Sequence, residues 1–183
     1  MLFYFIYLII NPLFFIIIFI LKFFNKKLYT HSKDEYKSVR NVIGALSVVD
    51  RKRKKVLLFH AASAGEFEQL KPILKSIQRN NFYIIQSFSS PTIYTKEMSN
   101  TLFDISCYHP YDFLWKSYFF FSKIRPDAYI ITRHDIWPIH LLVANKLKIK
   151  IFFINANLHK NSIWYKLYFK NISRTIFKNI FIT

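Results

Sequence analysis

From Val56 onward, short apolar runs return about every 25 residues, the interval that βαβ units produce. They lie at Val56–Phe59, Phe82–Phe88, Ile105–Tyr108, Tyr129–Thr132, Ile149–Ile154 and Ile180–Thr183, with helical or mixed patterns between them. Runs without regular polar alternation suit strands covered on both faces, which is the habit of parallel sheets. The expectation is an α/β fold with a Rossmann-like parallel sheet over residues 56–183. Gly44 and Gly65 are the only glycines. Dinucleotide-binding and Walker A loops need glycines at fixed short spacing, so neither is encoded and no cofactor is expected.

The other strong signal is at the start. Leu2 to Leu21 carries no charge, and about 20 residues at ~1.5 Å each match a hydrocarbon core of ~30 Å. A single transmembrane helix within residues 1–24 is expected, with Asn11-Pro12 interrupting it; two short interfacial helices are the alternative. The run exceeds a signal-peptide core and has no basic n-region. Lys22, Lys26 and Lys27 follow it and predict a cytoplasmic C-terminal side. Thr30 to Asp50 reads as a short helix and connector ending in Arg51-Lys52-Arg53-Lys54-Lys55, so residues 25–55 are expected to form a basic connector. The formal net charge of +17 favours anionic surfaces. Anionic membrane lipids are expected partners, at about 1 kcal/mol per basic residue near such a surface. Nucleic acid is not, because no aromatic stacking platform flanks the basic run. Cys107 is the single cysteine, which excludes an internal disulfide.

Chemistry is best sought after the first strand, in His60-Ala61-Ala62-Ser63-Ala64-Gly65-Glu66. A strand, a turn of small residues and the amphipathic run Phe67–Ile77 place Glu66 at the mouth of a sheet, where open α/β folds bind ligands. The same residues fit a capping box, with Ser63 capping the helix and Glu66 reaching back to the cap residue's N–H. Both readings stand. His60 reads as a packed, hydrogen-bonded strand-end residue. His134 and Asp135 are adjacent and so point in different directions, which argues against a metal pair.

His60 to Glu66 resembles the signature of the 3-deoxy-D-manno-octulosonic acid (Kdo) transferases of lipopolysaccharide synthesis, and the resemblance continues in order across essentially the whole chain. It runs through Tyr108-His109-Pro110-Tyr111-Asp112, Ile136-Trp137-Pro138 and Asn155-Ala156-Asn157-Leu158. The resemblance implies the N-terminal, acceptor-binding half of a GT-B glycosyltransferase, with Glu66 as general base. It implies acceptor contacts from Ser63, Gly65, Ser89, Ser90, Thr92, Asn155 and Lys160. The implied partners are a lipid A precursor and, only with a second domain or partner chain, CMP-Kdo. The implied location is the inner membrane, single-pass, with the domain on the cytoplasmic face. Asp112 is expected to cap the next helix.

Departures from the family pattern fall where charge matters. The family shows Glu-x-Glu before an aliphatic residue and Trp-Pro; here the stretch is Arg133-His134-Asp135-Ile136-Trp137-Pro138. Arg133 occupies the transition-state-stabilising position with reversed charge, and Asp135 keeps the acidic character of the second. Arg133 could bind an acceptor phosphate or pair with Glu66. Two family arginines are Asn157 and Asn161 here, with Lys160 a partial substitute. At 183 residues the chain matches one half of such an enzyme. The expectation is therefore a donor-binding domain absent from this chain and no transfer by this half alone. The competing expectation is a non-catalytic lipid- or acceptor-binding module, or a truncated remnant.

Overall fold

A computed structural model of the protein describes residues 2–133, 135–155 and 180–182. Strands β1 (Lys55–Ala61), β2 (Phe82–Phe88), β3 (Ile105–Tyr108), β4 (Ala128–Thr132), β5 (Lys150–Ile154) and β6 (Ile180–Ile182) form one sheet in the order β3-β2-β1-β4-β5-β6. Every adjacent pair is parallel. The sequence runs locate these strands to within one or two residues. The strand order reverses between β1 and β4, so the chain winds outward in both directions from that point.

Strand alternation divides the core. Val56 and Leu58 of β1 face one layer with Ile85, Cys107, Tyr129, Ile131, Ile151 and Phe153. Phe59, Ala61, Ile84, Phe88, Ala128 and Ile130 face the other. Helix α3 (Ala64–Ser76) covers the second layer with Phe67, Leu70 and Leu74, beside the short α4 (Pro91–Glu97). On the first layer lie α5 (Leu114–Ile124) and α6 (Pro138–Lys146).

Two N-terminal helices complete the described structure. The stretch expected to be a short helix and connector contains α2 (Lys26–Leu46), a helix of 21 residues. It buries His31, Glu35, Ser38, Val39, Val42 and Leu46, at the spacing of one helical face. Ser38 accepts the Tyr108 N–H at 3.1 Å, so α2 caps the polar edge of β3. Helix α1 (Leu2–Leu21) is the apolar run, continuous through Pro12, and its described side chains are mostly exposed. One stripe is docked: the Tyr7 hydroxyl donates to Asp112 at 2.9 Å, and the Asn11 amide to the Asp112 carbonyl at 2.8 Å.

Candidate active site

The reversal between β1 and β4 sets the site. In open α/β sheets the loops leaving two such strands diverge and leave a crevice beyond their carboxyl ends. Here those loops carry Ser63 to Glu66 after β1 and Arg133 to Trp137 after β4.

Ser63 is the N-cap of α3, its hydroxyl accepting the Glu66 N–H at 3.4 Å. The Glu66 carboxylate reaches back and accepts the Ala62 N–H at 2.7 Å. The expected reciprocal box is thus present in altered form, because the acceptor bond goes to the residue before the cap and not to Ser63 itself. One oxygen of Glu66 is held by Ala62, and the side chain remains half-buried at the helix start. Capping and a position at the sheet's mouth are therefore compatible in one residue.

Arg133 sits just beyond β4 with φ 56°, and Asn155 just beyond β5 with φ 54°. Left-handed backbone is tolerated by asparagine and costs an arginine roughly 1–2 kcal/mol. Adjacent strands thus end in the same turn conformation, tied by the Arg133 N–H donating to Ile154 O at 3.1 Å. Among the described residues Arg133 and Glu66 form no ion pair.

Asp135 hydrogen-bonds the Nε2 of His60, the last polar residue of β1. Burial pushes the Asp135 carboxyl up, but the hydrogen bond and charge of His60 outweigh it and hold it below the ordinary value. His60 begins a buried polar layer under the mouth. Ser87 Oγ donates to Phe59 O at 3.1 Å, and its lone pairs face His60 Nδ1 at 3.1 Å and His109 Nδ1 at 3.0 Å. Hydrogen-bond accounting then puts the His109 proton on Nδ1, leaving the single Nε2 lone pair facing both Tyr129 Oη at 3.0 Å and His140 Nδ1 at 3.1 Å. Burial holds His109 well below the usual imidazole range and brings His140 down to about 4, so both rings are neutral.

The layer ends on Asp112, which accepts from Ile139 N at 3.1 Å and His140 N at 2.8 Å. These are the first free N–H groups of α6, because Pro138 has none. Asp112 was expected to cap the helix that follows it; it caps α6 instead, and α5, with Phe113 at its N-cap, has no side-chain cap bond. The reason is tertiary: two strands separate β3 from β4 in the sheet, yet the chain leaving β3 reaches the start of α6 and sets Asp112 against its first free N–H groups.

A cleft of about 320 Å³ opens at the ends of β1 to β3. Ala62, Ser89, Ser90, His31, Tyr111 and Trp137 are among its lining, with Lys27 of α2 at its side. Ser90 is the N-cap residue of α4, yet its hydroxyl makes no cap bond. Of the residues expected to contact an acceptor, Ser89 and Ser90 line this cleft. Ser63 and Gly65 are exposed at the start of α3, Thr92 is exposed on α4, and Asn155 is exposed beyond β5. Lys160 and Asn157 lie outside the described residues. Sequence reasoning missed His31, which gave no local signal, and used Lys27 only as a topology marker. Among the described residues no cluster of three or more potential metal ligands occurs.

Comparison with known proteins bears on this site. A family model described as 3-deoxy-D-manno-octulosonic-acid transferase (kdotransferase) matches residues 34–182. A curated 3-deoxy-D-manno-octulosonic acid transferase of Chlamydia muridarum (strain MoPn / Nigg) is 29% identical over 133 residues, covering 65% of this chain. The chain spans 29% of that relative's length. Among solved structures, a Gfo/Idh/MocA family oxidoreductase from Vibrio cholerae matches 71% of this chain and 38% of its own, at 11% identity and a TM-score of 0.46.

Proposed function

This chain belongs to the 3-deoxy-D-manno-octulosonic acid transferase family, and on that premise we propose that it supplies the acceptor half of an inverting Kdo transferase. Glu66 takes the proton from a sugar hydroxyl of a lipid A precursor. The freed oxygen lone pair attacks the anomeric carbon of Kdo while that carbon's bond to the CMP phosphate breaks, and CMP leaves with the electron pair. General-base help of this kind contributes typically about 10²–10⁴-fold. CMP-Kdo is held by a donor-binding domain of GT-B type facing this one. Ser89, Ser90 and Lys27 receive the acceptor in the cleft beside Ala62, and helix α1 attaches the protein to the cytoplasmic face of the inner membrane.

The observation that carries this reading is Glu66 itself, half-buried at the start of α3 and at the strand-order reversal. A general base must be reachable by substrate and held in place, and the Ala62 N–H bond at 2.7 Å provides the second requirement. Arg133 supports the alternative of a non-catalytic acceptor-binding module, since a cation stands where the family has a glutamate. The experiment that decides is transfer of labelled Kdo from CMP-Kdo to lipid A precursor, with this chain and a donor-binding half present together. Product formation that stops on Ser90→Trp, which fills the cleft, supports the proposal. Binding of the precursor by the intact chain without any transfer would overturn it in favour of the module.

A further inference from the structure

Hydropathy alone reads α1 as a membrane span, yet the way α1 is docked opposes that. Its contacts with the domain lie along its middle: Tyr7 and Asn11 bond Asp112, and the Phe15 ring packs against Phe113 and Trp115 at 5.3 and 5.5 Å. Positions 7, 11 and 15 share one helical face. Asn11 is buried there at 4% exposure, its amide satisfied by the domain. If α1 crossed a bilayer at right angles, these residues would sit near mid-depth. They would hold the irregular backbone His109 to Phe113, and Lys116 just after it, at the same depth. Most of that backbone is buried within the domain, but the half-buried Lys116 and its ion-pair partner Glu35 would be carried to the same depth, where charges are costly.

We propose that α1 lies in the plane of the membrane interface, docked lengthwise on the α/β domain, with its free face in lipid and both of its ends on the domain's side of the bilayer. An interfacial helix needs an apolar face sunk about 5–10 Å into the headgroup boundary and a polar face turned away from lipid. Here the domain stands in for the polar face. The exposed Phe5, Ile9, Leu13 and Ile16 belong to the lipid face, and the apolar surface continues onto the domain through Trp115 and Tyr118. Amphipathic aromatic rings favour that depth. Lys22 sits 4.0 Å over the Phe19 ring, with Lys26 and Lys27 exposed just beyond, so cations border the apolar surface where anionic headgroups lie. This charge border selects a lipid surface over a second copy of the same basic chain, whose like charges would be brought together. The proposal is independent of the transferase reading.

Cysteine labelling of the full chain tests it, because Cys107 is fully buried and silent to a bulky reagent. Leu2→Cys and the exposed-loop variant Lys52→Cys are treated with a membrane-impermeant maleimide in spheroplasts and in inverted inner-membrane vesicles. Both sites should react in the same preparation and be protected in the other. Reaction of Leu2→Cys from the face opposite Lys52→Cys would restore the span and overturn the proposal. Purified chain should also float with phosphatidylcholine vesicles containing phosphatidylglycerol. A soluble dimer that stays at the bottom of the gradient would mean that a second copy covers α1, which would equally overturn it.

Discussion

The carboxyl end of the sheet holds two polar regions a few residues apart that behave oppositely. At the mouth, Glu66, Ser90 and Arg133 keep side chains partly open to solvent. Beneath it, His60, Ser87, His109 and His140 are buried, and their ring and hydroxyl groups bond one another. Strand parity separates them. His60, Ser87 and His109 follow the residues that face the α5–α6 layer and so turn into it, whereas the chain beyond Ala61 turns out into a loop. Polar residues at strand ends thus stay open to solvent only where the next turn lifts them out of the core; otherwise they bond one another as a buried floor. The floor also joins distant elements, since Asp112 links it to α6 and to α1.

The largest expected effect comes from acid. His31 and His140 are both brought down to about 4 by burial, from an unfolded value near 6.5. Between those values the unfolded chain binds protons that the folded protein refuses, so stability is present above about pH 6.5 and falls as pH drops towards 4. Each histidine can account for up to about 3 kcal/mol. Glu35, whose carboxyl is raised by burial, opposes part of this loss. Thermal unfolding followed from pH 7.5 to 5 should show a falling midpoint, with a shallower slope in His140→Phe. A flat profile would mean that the floor is not dry.

Removing the floor's anchor comes next. Asp112→Ala strands Tyr7 O–H and the Ile139 and His140 N–H groups, and should cost on the order of 3 kcal/mol in denaturant unfolding. A cost under about 1 kcal/mol would show the layer to be incidental.

At the mouth the same kind of deletion should spare the fold. Glu66→Gln keeps an acceptor for the Ala62 N–H but removes the group that takes a proton, so Kdo transfer with a donor half should fall about 100-fold or more. The melting temperature should hardly move. Full transfer by Glu66→Gln would leave only the cap. The smallest effect is expected at Arg133, where φ is 56°. Arg133→Gly relieves left-handed strain and should raise stability by less than about 1 kcal/mol, after the greater entropy of the unfolded glycine chain is subtracted. A loss of stability there would mean that the arginine side chain holds the mouth together.

Local pattern was enough for the strands, for the apolar helix and for Ser63 as a cap, because each depends on a few neighbouring residues and on the period of their side chains. The ordered motifs from His60 to Leu158 were enough for the family. Tertiary structure alone decided the rest. The order β3-β2-β1-β4-β5-β6 brings the loops after residues 61 and 132 to one crevice, and nothing local to either loop specifies that meeting. It also decided that Asp112 caps α6 and that histidines from β1, the β3 end and α6 form one floor. The same holds for the two N-terminal helices: the polar α2 is built into the core, while the far more apolar α1 lies largely uncovered. Hydropathy measures what a helix would prefer to leave behind in water, but which surface receives it depends on partners tens of residues away, and those enter only when the chain has closed on itself.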